Sequence, residues 1–212
     1  MTERSLSREL DLVAAARRVL LDKGLAGATT KAICRAAGCA EGTLYLHFDD
    51  KLDLFGAVLG ELLPAFLAVT GPLPARAGSR TVEQNLREVA EGALALYREL
   101  LPLAAAIFAE PELLARHRAD LRRRGAGPQR AHEPIAEYLR AEQALGRVDP
   151  GADPAAAAVL LLGACHHHAF MESLVDAAEL PLDRPDPAAA MVAAVLAGLA
   201  PRDPASRTET RP

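Results

Sequence analysis

Apolar residues recur three and four positions apart along this chain and almost nowhere alternate with polar ones, the signature of amphipathic helices rather than strands. Ser7 to Lys23 predicts a first helix with Leu12, Ala16, Val19 and Leu20 on one face, stopped by Gly24. Thr29 and Thr30 open a short second helix carrying Ile33 and Ala37, which Gly38 ends. A third begins near Ala40 with Leu44 and Phe48 one turn apart. Asp49 or Asp50 caps a fourth, in which Leu52, Phe55, Leu59, Leu62 and Phe66 follow in steps of three and four and Pro64 imposes a bend. Residues 71–78 (GPLPARAG) read as a loop. Thr81 and Gln84 form a capping box for a helix through Leu86, Val89, Ala93, Leu96 and Leu100. Pro102 and Pro111 are expected to divide the next stretch into short helices. Another starts near Pro128 or Pro134 and runs to about Ala144, and a turn-rich loop spans 146–154. Two last helices cover roughly 154–178 and 187–199, and the polar tail 201–212 is expected to be disordered. The pattern predicts an all-α chain of about nine helices.

Composition narrows the classes. No apolar run reaches the roughly 18 residues of a membrane span, and the charged start MTERSLSREL lacks the apolar core of a signal peptide. A cytoplasmic protein is expected. Three cysteines, Cys34, Cys39 and Cys165, are too few and odd in number for a disulfide framework. Charge argues neither way. The chain carries 28 Asp and Glu against 24 Lys and Arg, net −4. Residues 1–51 hold eight basic and seven acidic side chains, so any nucleic-acid surface there must be local.

The segment 29–48, TTKAICRAAGCAEGTLYLHF, has the layout of a helix-turn-helix. Ala36 and Ala37 let two short helices cross closely, Gly38 suits the turn, Cys39 plugs it from inside, and Ile33, Leu44 and Phe48 share a core with the first helix. The second helix of such a unit enters the major groove by its N-terminal residues. Its outward positions are Glu41, Gly42, Thr43, Tyr45, Leu46 and His47. Gly42 permits close backbone approach, Thr43 reaches a thymine methyl or base-edge acceptor, and Tyr45 and His47 donate to phosphates. Thr30, at a helix start where free N–H groups favour anions, and Lys51 do the same. Cys34 and Cys39 read as small buried apolar residues, with a redox role as the alternative.

These residues together resemble the TetR family signature: Gly24 through Thr30, then Ala36-Ala37-Gly38, then Gly42 through Phe48, and Lys51. The resemblance covers roughly 6–66, which implies a DNA-binding domain there and a helical effector-binding and dimerisation domain over 67–200. The DNA-contacting set it supports is Thr30, Lys31, Glu41, Gly42, Thr43, Tyr45, Leu46, His47 and Lys51. It implies a homodimer on double-stranded operator DNA, released by a small apolar or aromatic effector, with an activator of the same fold as the alternative. No cofactor, membrane partner or enzymatic activity is implied. Candidate pocket residues are Phe66, Tyr97, Phe108, Tyr138, His168, Phe170 and Met171. Candidate dimer residues on the last two helices are Val159, Leu162, Gly163, His166, Val192, Val195, Leu196 and Leu199. His166-His167-His168 invites a rival metal-binding or enzymatic reading. Consecutive helical residues point about 100° apart, so the three cannot converge on one ion. The basic run 116–130 reads as a solvated face.

Overall fold

The computed structural model describes residues 3–123, 125 and 127–199. Among the described residues there are nine α-helices and no strand. They are α1 (Glu3–Gly27), α2 (Thr30–Ala36), α3 (Glu41–Leu44), α4 (Lys51–Thr70), α5 (Val82–Ala109), α6 (Pro111–Arg123), α7 (Glu133–Ala144), α8 (Pro154–Glu172) and α9 (Pro187–Leu199). Packing divides the chain into two compact units. The first joins 1–64 to 98–126, and the second joins 65–97 to 127–212.

In the first unit, Gly24 interrupts α1 with φ 64° and ψ −176°, a backbone that a β-carbon would oppose. The glycine therefore breaks the helix, although a further turn follows it to Gly27. The core under α1 is Leu12, Val13, Ala16, Val19 and Leu20, which α2 meets with Ile33 and Cys34. Leu54, Phe55 and Val58 of α4 are equally buried. Each such large side chain stabilises by about 1.5–3 kcal/mol on leaving water. Arg17 pairs with Glu99, which ties α1 to the C-terminal part of α5 within this unit.

In the second unit, the Thr81–Gln84 capping box forms as expected. Gln84 N donates to Thr81 Oγ1 at 3.0 Å and Thr81 N donates to Gln84 Oε1 at 3.2 Å. Leu86, Val89, Ala90 and Ala93 of α5 are buried, as are Ile135 and Leu139 of α7 and Leu161 of α8. A polar cluster sits among them. Asn85 Nδ2 donates to the Tyr138 hydroxyl at 3.0 Å, and Gly78 N donates to Glu142 Oε1 at 3.2 Å. Arg147 Nε lies 3.2 Å from Glu142 Oε2. Gln143 Nε2 donates to the Asp149 and Ala152 carbonyls, fastening the loop before α8.

The structure corrects three expectations. Pro102 does not divide the chain: α5 runs through it for 28 residues, and only Pro111, at the first position of α6, marks a boundary. Helix α8 stops at Glu172 rather than 178, where Ser173 Oγ donates to the Phe170 carbonyl at 2.7 Å and turns the chain. Two stretches, Asp53–Arg76 and Pro154–Glu172, are by length and composition apolar enough to cross a bilayer, where no span of that length was expected. Both contribute core residues here, Leu54 and Leu161 among them. The expected disordered tail and Arg124 lie outside the described residues.

Candidate nucleic-acid interface

The site is built from two short helices and the turn between them. Thr29 caps α2: its backbone is extended and its Oγ1 accepts the Ala32 N–H at 3.1 Å. At the other end Gly38 adopts φ 66°. Cys39 N donates to the Cys34 carbonyl at 3.0 Å and Gly38 N to the Arg35 carbonyl at 3.3 Å. This pair of bonds is the Schellman motif, with Gly38 in the left-handed position where glycine carries no penalty. Ala40 then begins α3 with no side-chain cap.

Helix α3 is a single turn, Glu41–Leu44, continued by turns in which His47 N and Phe48 N both donate to the Leu44 carbonyl. Leu44 and Phe48 are buried and lock the turn onto the core. That anchoring fixes what faces out. Lys31, Glu41, Gly42, Tyr45 and Leu46 are exposed, and Thr30, Thr43, His47 and Lys51 are half-buried. Leu46 is 83% exposed and Tyr45 57%, so two successive large side chains are left in water. Gly42 has open space where a β-carbon would be, and its φ is not positive. Neither packing nor backbone angle requires a glycine there.

The start of α4 adds charge. Asp50 Oδ1 accepts the Asp53 N–H at 2.9 Å and so caps the helix. Arg116 of α6 pairs with the same carboxylate, which holds the guanidinium pKa above its ordinary value. Lys51 stands with its ammonium 5.1 Å from the centroid of the Phe55 ring. Burial lowers its pKa from the usual lysine value, opposed by the nearby Glu110 carboxylate. Sequence reasoning missed Arg116 in this role, because 66 residues separate it from Asp50 and no local spacing signals the pair.

The proposed pocket residues are scattered. Phe108 belongs to the first unit and is 68% exposed, whereas the other six belong to the second. Of those, Phe66, Tyr138 and His168 are buried, Tyr97 and Met171 half-buried, and Phe170 exposed. The Tyr97 and His166 rings meet edge-on at 5.2 Å. His168 Nε2 lies 3.3 Å from Glu172 Oε1, and His167 is exposed. The three histidines thus take three surroundings, and no group of three potential ligands is gathered among the described residues. A cleft of about 620 Å³ lies in the first unit, lined by Asp11, Arg17, Arg18 and Glu61 with alanines and Leu21 between them. It includes none of the proposed pocket residues.

Of the dimer candidates, Val159, Gly163 and His166 are exposed, and Val195 and Leu196 half-buried. Leu162, Val192 and Leu199 are instead buried in the core of their own chain. Helical phase decides this: Leu161, Leu162 and Cys165 share the inner face of α8, whereas Val159, Leu160 and Gly163 share the outer one.

Residues 12–58 match the family described as bacterial regulatory proteins, tetR family, and residues 85–200 match the AefR-like transcriptional repressor C-terminal domain. A 58-residue stretch is 40% identical to the HTH-type transcriptional repressor BepR of Brucella suis biovar 1 (strain 1330). That match spans 27% of this chain and 27% of BepR, about a quarter of the relative's length. Similar solved structures include a TetR-family transcriptional regulator of Mesorhizobium loti MAFF303099, 24% identical with a TM-score of 0.69, covering 94% of this chain and all of that one. SmeT, the repressor of the Stenotrophomonas maltophilia multidrug efflux pump SmeDEF, is 21% identical with a TM-score of 0.61, covering 96% of this chain and 95% of its own. Salmonella enterica GusR is 21% identical with a TM-score of 0.67, covering 94% and 98%.

Proposed function

Because the chain belongs to the TetR family of bacterial regulators, we propose that it is a cytoplasmic, dimeric transcriptional repressor that a small molecule releases from operator DNA. Residues 6–66 read DNA, and 67–200 hold the effector and the dimer face. The observation that carries the reading is the outer surface of α3, where Gly42, Tyr45 and Leu46 face solvent on a turn anchored by Leu44 and Phe48. Phosphate contacts from Thr30, Lys31, Tyr45, His47 and Lys51 set register, and Thr43 and Leu46 meet base edges, a thymine methyl above all. Arg116 offsets the Asp50 carboxylate beside Lys51, which lessens repulsion of phosphate.

One short helix reads too few bases alone, so two copies place their reading turns on successive major grooves, about 34–36 Å apart. Val159, Leu160 and Gly163 on the outer face of α8 supply the contact between copies. The matched relatives named as repressors support the sign of regulation. The apolar body of the second unit favours an apolar or aromatic effector.

The test is a mobility-shift titration on DNA flanking the protein's own gene, at low salt, with wild type and Tyr45→Ala. Wild type is expected to shift a discrete fragment and Tyr45→Ala to bind at least tenfold more weakly, the loss of about 1.4 kcal/mol. Equal affinity of wild type for every fragment, or no shift at all, would sink the reading. Transcription from the bound promoter with and without the protein decides repressor against activator.

A further inference from the structure

The turn that joins α2 to α3 is closed by two cysteines. In a Schellman motif the residue three from the helix end meets the residue two beyond it in a small apolar contact. Here those positions are Cys34 and Cys39, neighbours across the turn whose thiols are close enough for Cys39 to raise the pKa of Cys34. The 3.0 Å bond from Cys39 N to the Cys34 carbonyl holds the two backbones together. Such closeness suits the Cα separation of about 4.4–6.8 Å that disulfides need. The two thiols differ in access. Cys34 is 1% exposed, and burial with the neighbouring Cys39 pushes it up to about 11. Cys39 is half-exposed and stands one residue before Ala40, the cap of the reading turn.

We propose that Cys34 and Cys39 form a thiol–disulfide modification site that takes a low-molecular-weight disulfide as oxidant and releases the protein from DNA. The release step rests on the DNA-binding reading above. The Cys39 thiolate attacks one sulfur of oxidised glutathione, forming a mixed disulfide and expelling one glutathione thiol. Cys34 sulfur then attacks Cys39 Sγ, closing the protein disulfide and expelling the second. Two protein thiols are oxidised, one glutathione disulfide is reduced to two thiols, and the two protein protons end on those thiols. Closing a sulfur–sulfur bond of about 2.05 Å draws Cys39 toward the buried Cys34. Ala40 and Glu41 are drawn with it, and the reading turn loses its registration on the groove. Cys165 is an internal control, because it is buried in the second unit against the Ala90 carbonyl and the Met191 sulfur.

The experiment treats full-length protein with oxidised glutathione, maps its peptides by mass spectrometry, and titrates operator DNA before and after. The expected map shows a Cys34–Cys39 cross-linked peptide, the mass of two hydrogens lost, and Cys165 still a thiol. DNA affinity is expected to fall roughly tenfold or more, to return on reduction with dithiothreitol, and to be indifferent to oxidant in Cys39→Ser and Cys34→Ala. A stable glutathione adduct at Cys39 with Cys34 free overturns the proposal. So does a Cys39–Cys39 bond between chains, or a cross-link that leaves affinity unchanged. Reduced wild type that binds no DNA overturns the regulator reading and the release step together, while the peptide map still decides the disulfide.

Discussion

Gly42 stands where a β-carbon would meet nothing within 4 Å, so its replacement tests interface against fold. Glycine in helical backbone costs about 0.5–1 kcal/mol relative to alanine. Gly42→Ala should therefore leave chemical-denaturation stability unchanged or slightly higher while weakening operator binding at least severalfold. Loss of stability with binding intact would refute the assignment. A second residue-scale prediction concerns Tyr138. Burial, with the nearby Glu142 carboxylate, pushes its phenol up to about 12 from an ordinary 10. The unfolded chain releases that proton near pH 10, whereas the folded one keeps it to about 12. The stability carried by the neutral phenol is thus complete below pH 10 and falls as pH rises from 10 to 12. Denaturation midpoints should drop across that window more steeply for wild type than for Tyr138→Phe. Equal slopes would mean that Tyr138 does not titrate in this way. Much at this scale was legible in the sequence. Thr29, Gly38, Leu44 and Phe48 each follow from local spacing, and each sits in its expected role. Arg116 on Asp50 and Arg17 on Glu99 were not legible, because pairs that meet only through tertiary packing leave no periodicity to read.

Among the elements, caps were more readable than ends. Thr81 with Gln84 and Asp50 with Asp53 bring donor and acceptor within four residues, so the sequence contains both halves. Asp50→Ala removes the acceptor of the Asp53 N–H and the Arg116 partner together, and should cost about 1 kcal/mol as a lost cap. Arg116→Ala, which spares the cap, should cost less, since exposed ion pairs contribute little. Comparable losses in urea titration would show that the pair rather than the cap holds α4. The end of α8 was not readable: Ser173 to Val175 contains neither glycine nor proline, and helical spacing continues past it. The division expected at Pro102 failed for the opposite reason. Proline removes one N–H and crowds the carbonyl four residues back, but the 28 residues of α5 bury Leu86, Val89 and Ala93 in the second unit and Leu103 in the first. Burial of that order outweighs one absent bond. Pro102→Ala should raise the thermal midpoint by a few degrees, consistent with about 1 kcal/mol. A lower midpoint would show that the ring itself is packed.

For the whole molecule, the proposed function has an acidic chain bind an acidic polymer. With net −4 per copy, attraction to DNA rests on the few cations beside the reading turn. Binding should accordingly weaken steeply with salt, and Lys51→Ala should flatten the slope of log affinity on log salt by about one while weakening all sites alike. Thr43→Ala should instead change which base is preferred. Uniform weakening by both would remove Thr43 from base readout. Assembly is tested separately. Leu160 is 65% exposed on the outer face of α8, so Leu160→Glu should fold. It should also sediment as a monomer and bind operator far more weakly; an intact dimer would place the interface elsewhere. The unit that contains the reading turn is itself discontinuous in sequence, 1–64 with 98–126, and Glu99 and Arg116 come from its second piece. A chimaera that transplants only the first sixty-odd residues onto another sensor would leave both partners behind. Swapping operator specificity between relatives is therefore better done by exchanging the outward residues of α3 in place than by cutting and splicing the chain.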